Sequence, residues 1–248
     1  MTIRQRAKRT RPERPAETLS KQRVVATALS IIDREGMDAF SMRGLAQALG
    51  VYPTAVYWYV ANRNALLAEV VAHALRDVVP PEDVAQDLGD WTVWLKDLFG
   101  RYRNAVQRHP NLAALMGAQM VSNAGVNPVL VEKILTVLSA AGFKDERLVR
   151  AFNSVVAVMT GFVTIEFATA PTEDRDRWAA ELKRAIHAVD AREHPVLARN
   201  LPRLANRAFI VRWQNGIDVP LDDSFETYID VAIKGLRQLL PNGRRRVS

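Results

Sequence analysis

The sequence predicts an all-α protein, built as a three-helix helix-turn-helix unit followed by a larger helical domain. Three observations carry this reading. Apolar residues recur three and four positions apart in almost every legible segment, the period of a helix with one buried face. Between residues 41 and 63 two such segments are short and joined by a turn containing Gly50, which is helix-turn-helix spacing. The chain has 248 residues and is 48% hydrophobic, enough for one to two domains with a sizeable core.

Residues 1–17 hold Pro12, Pro15 and almost no bulky apolar side chains. Such a segment buries too little surface to order itself and is expected to be a flexible basic arm. The formal net charge of +7 is concentrated at the ends: residues 1–17 carry +4 and residues 241–248 carry +3, which leaves the body near neutral. Basic ends attract a polyanion, most simply the phosphates of DNA. The arm precedes the helix-turn-helix directly and is assigned to DNA, beside the major-groove site. The basic tail 241–248 is read as a solvated end.

Residues 18–66 form the expected helix-turn-helix domain. Its first helix runs from about Ser20 to Glu35, with Val24, Val25, Ala28, Leu29, Ile31 and Ile32 as its apolar stripe and Gly36 as its stop. Ser41 is an N-cap candidate for the second helix. Phe40 and Leu45 stand at hydrophobic-staple positions. Leu45, Ala46 and Leu49 give the apolar face, and Gly50 takes the left-handed position that ends the helix. Pro53 starts the third helix, where its missing N–H costs nothing. Val56 and Val60 are that helix's buried side. Thr54, Ala55, Tyr57 and Tyr59 are left facing outward, with Trp58 between the two sides.

Residues 67–240 form the second expected domain. A helix entering it from near Asn62 runs to about Val79, where Pro80–Pro81 stops it. His73 on this helix is read as a partly buried polar residue. Trp91, Trp94, Leu95, Leu98, Tyr102 and Val106 mark the next helix, ended by His109–Pro110. Further helices are expected over 111–121, 128–142, 145–169, 174–189, 196–206 and 224–240, with a loop over 207–222. The helix over 145–169 is apolar on nearly all sides, as for a helix buried from two directions.

Several function classes find no support. There are no cysteines, hence no disulfide and no thiolate chemistry, which fits a reducing cytoplasm. No apolar run approaches the roughly eighteen residues of a membrane span, and the basic N-terminus lacks the apolar core of a signal peptide. The four histidines show no metal-ligand spacing, and no phosphate loop or nucleophile elbow is present. No catalytic residue, metal ligand or cofactor is assigned.

The positive signal lies in the exposed stripe of the third helix. A helical hairpin of this spacing also occurs in ordinary bundles. Two tyrosines, a threonine and a small residue, flanked by Arg43 and Arg63, suit hydroxyl contacts to phosphate and edge contacts to bases. The reading is therefore a double-stranded DNA reader, whose second motif helix enters the major groove.

The stretch LAQALGVYPTAVYWYVANRNALL resembles the DNA-binding domain of the tetracycline-repressor (TetR) family of bacterial regulators. The resemblance covers about residues 19–70. A weaker one, over GDWTVWLKDLFGRYRNAVQRHP, points to the tetracycline-repressor branch. It implies backbone and occasional base contacts from Ser41 and Arg43, base reading by Thr54 and Ala55, and phosphate contacts from Tyr57 and Tyr59. Arg63 replaces a lysine common at the start of the next helix. Pro53 stands where the tetracycline repressor carries a polar base reader, so a different operator is expected.

The resemblance also bears on the second domain. The helices over 145–169 and 224–240 are too apolar for a monomer's surface. In the family such a pair forms a four-helix homodimer interface; filling one chain's core is the alternative. Trp94, Phe99, Tyr102, His109, Met116, Met120, Phe152 and Phe162 are candidates for an apolar effector pocket, although by spacing alone they also read as core. Arg101, Arg103 and Arg150 are expected to be solvated. The resemblance implies a repressor of a palindromic operator, released by a small apolar ligand. The alternative is a DNA-binding regulator with no small ligand, controlled by a partner protein or its own concentration.

Overall fold

The computed structural model describes residues 18–81, 90–116, 127–169 and 174–240, and every regular element among them is helical. The arm 1–17, the tail 241–248 and residues 117–121 of the helix expected over 111–121, Met120 among them, lie outside the described residues.

The first domain follows its local signals closely. α1 (Lys21–Glu35) is capped by the Ser20 hydroxyl, which accepts from the Arg23 N–H. α2 (Met42–Leu49) is capped in the same way by Ser41, which accepts from Gly44. Gly50 closes α2 with φ 70°, the left-handed region where a side chain is unfavourable. α3 is short, Pro53–Tyr57, with Pro53 in its first turn. α4 (Arg63–Ala74) is capped by the Asn62 side chain, which accepts from Ala65. Val24, Ile32, Leu45, Val56 and Leu66 are each 0% exposed, so α1, α2, α3 and α4 share one dry centre.

α4 stops at Ala74, about a turn earlier than the spacing predicts. Leu75 leaves helical geometry at φ −96°, ψ 6°, and the turns that follow bury Leu75 and Val78. Val79 is disfavoured from helical geometry because Pro80 follows it. The early unwinding lets Val78 join the core.

The second domain contains α5 (Trp91–Arg108), a 3-10 turn (Pro110–Leu112), α6 (Pro128–Ala140), α7 (Asp145–Glu166), α8 (Arg175–His187), α9 (Pro195–Leu204) and α10 (Asp222–Leu239). α7 packs on α5, α6 and α10 through Ala151, Val155, Met159, Phe162 and Val163. Parts of its surface on either side of that stripe stay open in the single chain, with Val149 54% and Ile165 51% exposed. Burial of α7 from two directions is thus not reached within one chain. α7 is also long and apolar enough, by length and composition, to cross a membrane, with a mean hydropathy of 1.7. The expectation that no segment approaches such a span was too strict: scattered Asn, Ser and Thr interrupt an apolar run but lower its mean hydropathy little. Here α7 is a packing helix of a bundle.

The caps give a direct test. Ser20→Ala and Asn62→Ala are each expected to lower stability by about 1 kcal/mol, read as an earlier urea midpoint at unchanged m-value. An unchanged midpoint in both would show that these side chains do not cap.

Candidate DNA interface and regulatory core

Ser41, Arg43, Thr54, Tyr57 and Arg63 are exposed, and Ala55 is half-buried. The Arg63 guanidinium lies 5.7 Å from the centroid of the Phe40 ring, a cation–π position that steadies it at the start of α4. Tyr59 departs from the expected outward stripe. Its hydroxyl donates to the Leu19 carbonyl at 2.8 Å, and its ring packs against the core. At about 3.6 residues per turn two positions differ by about 200°, more than half a turn, so Tyr57 and Tyr59 cannot share a face. Two aromatics are more exposed than the stripe suggests: Trp58 at 87% and Tyr52 at 84%. Neither has a place in the α3 packing, where Val56 and Val60 are the buried residues. That spacing could have placed Trp58 outside, whereas the sequence alone was read as leaving it between the two sides.

The two domains are joined by polar contacts at the end of α1. His109 Nδ1 lies 2.9 Å from Asp33 Oδ2. The Asn111 amide donates to the carbonyls of Ile32 and Asp33 at 2.9 and 3.1 Å. These carbonyls belong to the last turn of α1: that of Ile32 also accepts the Gly36 N–H, and that of Asp33 is one of the acceptors a helix end leaves over. The 3-10 turn after α5 therefore caps α1 from outside. His109, a ligand candidate by sequence, is committed to this joint. On the α4 side, Arg101 donates to the Asp77 carbonyl and pairs with Asp97. His73 is lowered from its ordinary pKa, first by burial and then by the neighbouring Arg76 charge.

The remaining ligand candidates divide by burial. Trp94, Phe99, Tyr102 and Met116 are each 1% exposed, and Phe162 is 6% exposed. Phe152 is partly buried against the same core. Trp94 Nε1 and the Tyr102 hydroxyl are buried without a hydrogen-bond partner. Burial pushes the Tyr102 hydroxyl well above its ordinary pKa, so it is a neutral donor. Among the described residues no group of three or more His, Asp or Glu is placed to hold a metal ion.

Arg103 is not solvated as expected. Its Nε and Nη2 donate to the two carboxylate oxygens of Glu166 at 2.8 and 2.6 Å. Its Nη1 donates to Asp222 at 2.7 Å, and its plane lies 4.6 Å from the centroid of Phe225. Glu166 is 0% exposed and also accepts from the Leu221 N–H at 3.0 Å. The Glu166 carboxylate raises the Arg103 pKa further, against the opposing effect of burial. One fork thus ties α5 to the end of α7 and the start of α10. No sequence signal pairs residues 63 positions apart; only the polar Glu166 at the end of an apolar helix hinted at a partner.

A short helix with exposed hydroxyl, aromatic and Arg side chains, carried on a capped three-helix unit in front of a helical bundle, defines a helix-turn-helix DNA-binding regulator. Residues 24–70 match the family model described as bacterial regulatory proteins, tetR family. Residues 84–240 match the one described as tetracyclin repressor-like, C-terminal domain. The chain belongs to the TetR family of transcriptional regulators. It is 27% identical to the HTH-type transcriptional repressor DrrR1 of Streptomyces coeruleorubidus over 197 residues, 76% of this chain and 71% of the relative. Among solved structures it resembles BioQ with its double-stranded DNA operator, at 31% identity and TM-score 0.54 over 66% of this chain and 95% of that one. It also resembles Streptomyces coelicolor ActR in complex with (S)-DNPA, at 25% identity and TM-score 0.62 over 88% of this chain and 97% of that one.

Removing one member of the buried pair strands the other. Glu166→Leu is expected to lower unfolding free energy by about 3–5 kcal/mol, measured by urea titration. The double variant Arg103→Met/Glu166→Leu should recover part of that loss. A double variant no more stable than the single one would refute the pairing as the cause.

Proposed function

We propose that the chain is a homodimeric repressor that binds a palindromic operator and leaves it when a small, largely apolar ligand occupies the regulatory domain. The observation that carries the ligand reading is the pair of unpartnered polar atoms, Trp94 Nε1 and the Tyr102 hydroxyl, inside an otherwise apolar cluster. Native interiors pair nearly all buried donors, and a ligand acceptor would supply the missing partner. ActR in complex with (S)-DNPA and BioQ with its operator offer relatives for both halves of the reading.

The release route follows from the joint. Ligand binding shifts affinity for DNA only if it favours a different arrangement of the two recognition helices. α5 carries Trp94 and Tyr102 on one side and leads directly into the turn that caps α1. A small displacement of α5 therefore reaches the DNA-binding unit through His109 and Asn111. In a dimer this changes the spacing of half-sites, which must match successive major grooves about 34–36 Å apart.

Arg63→Ala and Tyr57→Phe are expected to weaken binding to all DNA sequences. Loss of the Arg63 charge should flatten the salt dependence by about one unit of slope. Changes at Thr54 or Ala55 should instead alter the sequence preferred, read by selection from a random DNA pool. If all four changes lower affinity equally for every sequence, the division into base readers and phosphate contacts is wrong.

The open faces of α7 and α10 supply the dimer test. Val231 is 63% exposed in the single chain, whereas Val163 is 1% exposed and belongs to its core. Val231→Glu is expected to give a folded monomer by light scattering and circular dichroism, while Val163→Glu should unfold. A wild-type protein that is monomeric at micromolar concentration would refute the dimer.

A further inference from the structure

Arg212 is a buried cation with no carboxylate on it. It is 8% exposed. Its Nε donates to the Gln214 carbonyl at 2.7 Å and its Nη2 to the Val219 carbonyl at 2.9 Å. Nη1 is buried and has no partner. Glu166 is near enough to act on Arg212 electrostatically, but it is already bound by the Arg103 fork and the Leu221 N–H. Two neutral carbonyls orient the guanidinium without neutralising it. Burying a charge that is only partly compensated costs free energy, and an anion placed on the guanidinium would offset it.

The same arginine lines a cavity of about 190 Å³ at the end of α7, together with Ile165, Ala168, Trp178, Phe209, Trp213 and Glu166, whose carboxylate is held by the Arg103 fork. That is somewhat larger than the roughly 150 Å³ cavity that takes benzene. The walls are built rather than incidental. Asn206 accepts from the N–H groups of Trp213 and Gln214, which pins the loop after α9. The Gly216 N–H donates to the Glu166 carbonyl at 2.8 Å, and a Cβ at Gly216 would stand 2.5 Å from Glu166 Cγ. The loop can close on α7 only with glycine there. The Lys183 ammonium sits 4.9 Å from the centroid of the Trp213 ring and fixes its outer face.

We propose that this cavity binds a small aromatic carboxylate, with its anion on Arg212 and its ring among Trp178, Phe209 and Trp213. A guanidinium favours carboxylate by charge and by planar donor geometry. The aromatic walls favour a flat ring, and the volume accommodates about one ring. Phe209 also meets Phe162 of α7 edge-on, with ring centroids 5.0 Å apart, so a bound ring touches the core that the release mechanism uses. This consequence rests on the ligand-release reading; binding itself does not.

The test uses the full-length protein without DNA. Benzoate, phenylacetate and the neutral benzamide are titrated by calorimetry and by the fluorescence of Trp178 and Trp213. At least one of the two acids should saturate with a Kd in the millimolar range or tighter, and benzamide should bind at least about tenfold more weakly. Arg212→Gln should lose at least about tenfold in acid affinity, and Arg212→Lys should keep part of it. Ala168→Phe fills the cavity from an exposed backbone position, so it should abolish binding with the fold intact by circular dichroism. Failure of both acids to saturate, equal binding of benzamide, or unchanged affinity in Arg212→Gln or in folded Ala168→Phe overturns the site. A separate operator-binding titration distinguishes the two readings: an acid that binds through Arg212 yet leaves DNA affinity unchanged keeps the site and rejects its role in release.

Discussion

The Arg103–Glu166 ion pair organises the regulatory half of the chain. A carboxylate at 0% exposure is stable only if its charge and its lone pairs are met, and here they are met by one planar fork and one backbone N–H. Those donors come from α5 and from the residue before α10. Three elements far apart in the chain are thereby held at one point, with Phe225 stacked under the guanidinium. The loop carrying Gly216 then closes over the end of α7 because the backbone of Glu166 accepts its N–H. Packing alone would leave helices free to slide along one another. The pair fixes their register.

The same helix that supplies Arg103 leads into the joint with the DNA-binding unit. α5 holds Trp94, Phe99 and Tyr102 in the core, pairs with α7 through Arg103, and ends in the turn that bonds the last carbonyls of α1. A cluster that is close-packed on one side and hydrogen-bonded on the other transmits displacement rather than absorbing it. α4 remains packed on α1, but the polar coupling runs through the end of α5.

The legibility of the site follows the range of the interactions involved. Ser20, Ser41 and Asn62 bond N–H groups three residues away, and Gly50 answers a backbone angle of its own. Such contacts are written in consecutive residues: Ser41 and Gly50 were read as caps, and Ser20 and Asn62 as helix starts. Thr54, Tyr57 and Arg63 were placed outside because Val56 and Val60 had to be inside. Tyr59 was misplaced because its partner, the Leu19 carbonyl, lies 40 residues earlier. Arg103 was taken as solvated because nothing local offers it a counter-charge.

By itself the sequence determined the helical class, the positions of most helices, the helix-turn-helix and its outward Thr54, Tyr57 and Arg63. Each of these follows from local periodicity, caps and backbone angles, which act within a few residues. Only the tertiary structure decided which charges are buried, which aromatics are exposed and how the two domains touch. The burial of Arg103, the isolation of Arg212 and the capping of α1 by Asn111 depend on what a folded chain brings within hydrogen-bond reach. A charge's fate is set by its nearest partner in space, and that partner is invisible in the order of residues.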